Sequence, residues 1–148
     1  SIFCTDNSKL IIENCTIGSG SVITADHGGT VEIYSSFIGC NCIIIGCEKI
    51  TIGNDCLIAE MTVIRDQNHK YSDPNIPISK QGMQTSPITI GKNVWLGAKS
   101  TVLLGSEIAD NTVIGAHSLV NGKLNSGVYV GTPAKWIKNL NSLHIENE

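Results

Sequence analysis

The sequence predicts an all-β protein: a parallel β-helix of hexapeptide repeats, with one long external loop and a short C-terminal tail or helix. Three observations carry this reading. Ile90, Leu96, Val102, Ile108, Ile114 and Val120 recur at a strict interval of six. The residue after the apolar one is small in most hexads (Gly91, Gly97, Ala109, Gly115), and a compact side chain follows four residues after it (Val94, Ser100, Ser106, Thr112, Ser118). The composition is 41% hydrophobic with 15 glycines and only 5% aromatic residues, which suits a thin solenoid better than a bulky core.

A period of six fits neither a 3.6-residue helix nor hairpin spacing. It fits a chain that sends one aliphatic residue per hexad into a triangular prism and turns a corner after each hexad. Three hexads close one coil. Ile90 is therefore expected to stack on Ile108, Leu96 on Ile114 and Val102 on Val120, with rungs about 4.8 Å apart.

From the N-terminus, coils are expected to begin near residue 10, where Ile17-Gly18 and Ile23 stand six apart. The phase slips through residues 25–30, a predicted corner loop, and again at Gly46-Cys47-Glu48-Lys49. It is firm from Ile52 to Ile64. The next apolar position would be residue 70, yet the register returns only at Ile90. That leaves an insertion of about 20 residues, at about 66–87, a length that is usually functional. Its polar, Pro-containing sequence predicts an extended loop outside the prism. Past Val120, a last strand is expected near Val128–Val130. The tail, about 132–148, is expected to form a short helix or a cover for the open sheet end.

The repeat spans most of the 148 residues, so the whole chain, 1–148, reads as a single domain. A net charge of -3 gives no electrostatic reason to expect a nucleic-acid partner. Neither an apolar run of membrane-spanning length nor a signal-peptide pattern is present, which predicts a soluble, cytoplasmic protein with no membrane span. The chain starts at Ser1, so a short preceding piece is expected to be missing. All six cysteines (Cys4, Cys15, Cys40, Cys42, Cys47, Cys56) lie early, without CxxC or zinc-like spacing. They read as structural thiols in a reducing compartment. Cys56 occupies the place in its hexad that Ser100 occupies later, and no metal is expected.

Hexads followed by a loop with Asp66-x-x-His69, then NVWLG, GAKSTVL, GAHSLV and GTPAKWI, resemble the hexapeptide-repeat acyltransferases. Within that superfamily the chain is most similar to the maltose, galactoside and bacterial polysaccharide O-acetyltransferases, over about residues 10–138. The resemblance implies a left-handed β-helix, an exception to the right-handed crossover rule. It also implies a homotrimer with active sites between subunits, acetyl-CoA as acyl donor and a carbohydrate acceptor.

His69 is the expected general base. A sugar hydroxyl is a poor nucleophile at neutral pH, and neutral imidazole can take its proton as the oxygen attacks the thioester. Asp66 is expected to orient the ring or help bind the acceptor, although a backbone carbonyl would orient it equally well. By resemblance Trp95 lies at the active site beside the cofactor arm, or packs at the trimer interface, or both. Gly97, Ala98, Gly115 and Ala116 match segments that bind the pantetheine amides, and an N–H there would stabilise the oxyanion. The same small residues also serve the corners. His117 replaces a more usual Gly and is expected to line the cofactor groove. The family's Thr-Lys pair falls on Asn121 and Gly122, which leaves Lys123 as the nearest phosphate candidate. Pro133 matches the residue against which adenine packs, and Lys135 is a second phosphate candidate. Tyr71, Asp73 and Asn75 are expected to shape the acceptor site. His27 reads as a surface turn residue, and His144 as having no role.

Other readings stay open. N-acyl transfer to an amino sugar or sugar nucleotide uses the same scaffold. A non-enzymatic assembly module does not require the Asp-x-x-His loop. A γ-type carbonic anhydrase needs converging histidines, which His27, His69 and His117 do not match in spacing. An ice-binding surface needs Thr-x-Thr ladders, which are absent. No cysteine is placed for a covalent acyl-enzyme, so direct attack of the acceptor is expected.

Overall fold

The computed structural model describes residues 1–5 and 7–140. It is a left-handed parallel β-helix of about six coils. The first face stacks Ile2–Cys4, Val22–Ala25, Ile43–Gly46, Val63–Arg65, Thr101–Val102 and Leu119–Val120. The second stacks Lys9–Glu13, Thr30–Tyr34, Lys49–Ile52, Ile88–Ile90, Glu107–Ile108 and Lys123–Leu124. The third runs from Thr16–Ile17 through Phe37–Ile38, Leu57–Ile58, Val94–Leu96 and Thr112–Ile114 to Gly127–Val130. No helix among the described residues is long and apolar enough to cross a membrane.

The hexad period becomes three inward columns. Ile90 pairs with Ile108, Leu96 with Ile114 and Val102 with Val120, as the spacing requires. All six are buried. Each aliphatic side chain removed from water here contributes roughly 1.5–3 kcal/mol, and most of them stack on another aliphatic side chain in the adjacent coil.

The compact side chain of each hexad closes a corner. Ser21 Oγ donates to Gly39 O at 2.8 Å and accepts the Cys42 amide at 3.0 Å. Ser36 Oγ does the same with Gly53 O and the Cys56 amide, at 2.8 and 3.0 Å. Cys42 and Cys56 continue these columns, donating S–H to Ala59 O and Gly91 O at 3.1 Å each. A small donor is needed because the corner carbonyl of the next coil is close and buried. Burial pushes both thiols above their ordinary range, which leaves them un-ionised.

Coils begin earlier than residue 10: Ile2–Cys4 already pairs in parallel with Val22–Ala25. The early slips are likewise not broken coils. The early second-face strands are longer and send two residues inward, Val31 with Ile33 and Ile50 with Ile52, all buried. The added residues are absorbed at the corner between the first and second faces. The long insertion leaves from that same corner, and Ile52 pairs with Ile90 rather than with position 70.

The insertion is not structureless. Gln67–His69 pairs antiparallel with Met83–Thr85, and a short 3-10 turn at Ile78–Lys80 lies between them. Its strands are polar and mostly exposed, so no apolar alternation marked them in the sequence. The segment after Pro133 is likewise a strand rather than a helix: Lys135–Lys138 folds back antiparallel on Gly127–Val130. The Leu119 amide donates to Gly131 O, and the Ala134 amide donates to Leu119 O. The tail thus satisfies the last strands of the first and third faces. The expectation for His144 lies outside the described residues.

Candidate active site

The residues singled out in the sequence fall at two corners of the prism, with the first face between them. His69, Tyr71, Asp73 and Asn75 lie on the insertion, between the first and second faces. Gly97, Ala98, Ala116, His117 and Pro133 follow third-face strands, at the corner leading into the first face. Lys135 is on the strand that follows Pro133, and Trp95 is on the third face itself.

His69 is exposed at the end of the insertion's first strand, opposite Met83. With Arg65, Gln67, Asn68 and Met83 it lines a shallow depression of about 150 Å³. Asp66 does not orient it. The Asp66 carboxylate is fully buried and accepts the amides of Cys47 at 2.7 Å and Glu48 at 2.8 Å, closing the corner of the coil before it. Burial pushes its carboxyl above the ordinary range, against the pull of those amides and that of Lys49. Among the described residues no ion pair joins it to His69.

Asp73 also has a local partner, since its Oδ1 accepts the Asn75 amide at 2.9 Å in an Asx turn. Gln81, which the sequence did not flag, holds the loop: its Nε2 donates to Asp73 O at 2.9 Å and Ile76 O at 2.7 Å. Tyr71 and Asn75 are exposed on the same loop. His27 sits in a tight turn two coils earlier, its Nδ1 3.0 Å from Asp26 Oδ2.

At the other corner the glycine has a packing reason. A Cβ on Gly97 would lie 2.5 Å from Ala116 N and 2.7 Å from Gly115 C, so the next coil occupies that space. The same corner leaves donors free: the amides of Ala98 and Ala116 have no acceptor among the described residues. Two free N–H groups one coil apart suit a thin, amide-bearing ligand laid along the corner. His117 is exposed, with φ 58. Gly20, Asn41, Met61 and Lys99 fill the equivalent left-handed place in other coils. Thr132 Oγ1 donates to His117 O at 3.1 Å, which joins the GTPAK segment to this corner.

Lys123 is not with this group. It lies on the second face, and its Nζ is 2.9 Å from Glu107 Oε2. Trp95 points outward from the third face between Leu57 and Val113. Phe37, Leu57 and Trp95 form one exposed apolar column, 45%, 54% and 52% accessible. The first face carries a second apolar column, half-buried at Val22 and Val63 and exposed at Ile43. The second face is polar, with Glu32, Thr51, Thr89, Glu107 and Lys123 in register.

Residues 87–122 match the model for the bacterial transferase hexapeptide, six repeats. WbbJ of Escherichia coli (strain K12), named as a lipopolysaccharide biosynthesis O-acetyl transferase, is 40% identical over 146 residues, covering 92% of this chain and 74% of WbbJ. Among solved structures, the polysialic acid O-acetyltransferase OatWY has a TM-score of 0.73 at 26% identity, covering 93% of this chain and 67% of OatWY. AntD, an N-acyltransferase from Bacillus cereus solved with coenzyme A and dTDP-4-amino-4,6-dideoxyglucose, has a TM-score of 0.70 at 20% identity. It covers 93% of this chain and 80% of AntD, and at that identity the likeness is one of fold. The hexapeptide repeat and the extended match to WbbJ together show that this chain belongs to the hexapeptide-repeat acetyltransferase family.

Proposed function

We propose that the protein is an acetyl-CoA-dependent O-acetyltransferase acting on a hydroxyl of a sugar, in a surface or capsular polysaccharide or its precursor. The observation that carries this reading is the division of the candidate residues between two corners that flank the first face. A site holding both needs two prisms side by side, with His69 of one facing the Ala98–Ala116 corner of the next. The apolar columns on the first and third faces support such packing. A ring closes when each copy uses two different faces, and only the polar second face is then left to solvent. The family resemblance makes that ring a homotrimer, with one acetyl-CoA and one acceptor per groove.

In that groove His69 takes the acceptor hydroxyl proton as the oxygen attacks the thioester carbonyl. The tetrahedral intermediate then collapses with cleavage of the C–S bond, and the departing CoA thiolate takes the proton from His69. Such a base contributes on the order of 10²–10⁴-fold in rate. The free amides of Ala98 and Ala116 hold the pantetheine arm, and an N–H of this corner stabilises the oxyanion. The acetyl group passes directly to the acceptor without a covalent acyl-enzyme, since no cysteine lines the depression that holds His69. Pro133 packs against the adenine, His117 lines the cofactor groove and Lys135 meets a phosphate of the cofactor. Lys123 reaches a phosphate only by leaving Glu107.

The test is CoA release from acetyl-CoA against a panel of neutral, acidic and amino sugars, comparing wild type with His69→Ala. We expect acceptor-dependent release that falls by two orders of magnitude or more in the variant, with acetyl-CoA still bound. Unchanged turnover in His69→Ala removes the histidine from its role. Turnover confined to amino sugars moves the assignment to N-acyl transfer.

A further inference from the structure

We infer that Arg65 makes the acceptor site selective for an oxyanion, the carboxylate of an acidic sugar or the phosphate of a sugar phosphate. The inference rests on the transferase reading above and adds the charge class of the acceptor.

Arg65 is the last residue of the strand Val63–Arg65, beside Ile45 in the ladder, immediately before the insertion. It is exposed and lines the depression that holds His69, whose other lining residues are Gln67, Asn68 and Met83. No acid lines that depression, so its one permanent charge is positive. The adjacent carboxylate, Asp66, is turned into the corner and held by the Cys47 and Glu48 amides. Among the described residues no carboxylate stands within ion-pair distance of the guanidinium.

The guanidinium is also positioned. Gln67 is buried, and in the amide orientation that satisfies its neighbours its nitrogen donates to Asp66 Oδ1 at 3.2 Å and Ile45 O at 3.3 Å. Its oxygen then accepts Arg65 Nη2 at 3.1 Å. A buried amide anchored to the prism thus fixes one edge of a planar cation and leaves the other donors for a ligand. That is the arrangement a bidentate oxyanion contact requires. The phosphates of CoA are a poor match, because the whole pantetheine arm separates them from the thioester that must meet His69.

The experiment measures initial rates for matched acceptors, a neutral oligosaccharide, its uronate counterpart and its phosphate ester, with wild type, Arg65→Gln and Arg65→Lys. We expect wild type to favour a charged acceptor through KM. Arg65→Gln raises that KM on the order of tenfold, the usual loss for a hydrogen bond to a charged group. The KM for acetyl-CoA stays within twofold, and the neutral acceptor loses less than the charged one. Arg65→Lys falls between, because it keeps the charge and loses the fork. The uronate and phosphate arms decide which oxyanion is read.

Calorimetric titration of the same sugars, without acetyl-CoA, separates this inference from the function it rests on. Turnover of neutral sugars with no preference for charged ones, or a variant that weakens acetyl-CoA or all acceptors alike, overturns the inference and leaves the transferase standing. Arg65-dependent binding of an acidic sugar that is never acetylated keeps the anion site and overturns the transferase.

Discussion

Asp66 and Cys47 lie on consecutive coils, and the Asp66 carboxylate accepts the Cys47 amide at 2.7 Å. The contact closes the corner from which the insertion departs, so the most conspicuous acid of the Asp-x-x-His motif supports the loop's base. Burial raises its folded pKa above the ordinary 3.8. The sign follows: the fold favours the neutral carboxyl, and this contribution is complete below about pH 3.8 and declines as pH rises through the folded value. Urea denaturation of wild type and Asp66→Asn across about pH 3 to 7 should show the wild-type advantage shrinking with pH. An advantage that grows with pH means that the amides outweigh burial.

Gly97→Ala should destabilise the fold by about 1–3 kcal/mol, the usual cost of overpacking. Its Cβ meets main-chain atoms of Gly115 and Ala116, which cannot rotate aside. Thermal denaturation checks this. A stability within error of wild type would mean that the coils can separate at this corner.

Met61 holds a left-handed conformation, φ 59, in the same place as Gly20. A non-glycine residue there costs roughly 1–2 kcal/mol of steric strain. Met61→Gly is expected to raise the denaturation midpoint, with part of that gain offset by the greater freedom of glycine in the unfolded chain. A lower midpoint would show that the exposed Met61 side chain contributes packing.

Thiol labelling should divide the cysteines by position in the coil. Cys4 and Cys40 are exposed and should react with iodoacetamide in the native protein. Cys42 and Cys56 are buried, donate to corner carbonyls and are held un-ionised, so they should react only on unfolding. Mass spectrometry of peptides labelled before and after denaturation reads the result directly.

Leu57→Asp places a charge in the exposed column between Phe37 and Trp95. If that column is a subunit contact, the variant should run as a monomer in sedimentation and lose acetyl-CoA binding while keeping its fold by circular dichroism. An unchanged mass would assign the column elsewhere.

The sequence by itself determined the inward columns, the size and place of the insertion and the identity of the corner residues. The reason is local. Every hexad repeats the same choice of one inward aliphatic, one tight corner and one small donor, and the period of six survives in the chain. Ile90 over Ile108 was readable because three hexads make one coil whatever surrounds them. The tertiary structure alone decided what depends on the next coil. It turned the slips at residues 25–30 and 46–49 into widenings of the corner that carries the insertion. It gave the Asp66 carboxylate to Cys47 and Glu48, tied Lys123 to Glu107, and folded the tail as a strand. It also set His69 and the Ala98–Ala116 corner on opposite edges of the first face, and brought Arg65 under the hold of Gln67. Such partners are far apart in sequence and follow no period, because stacking chooses them.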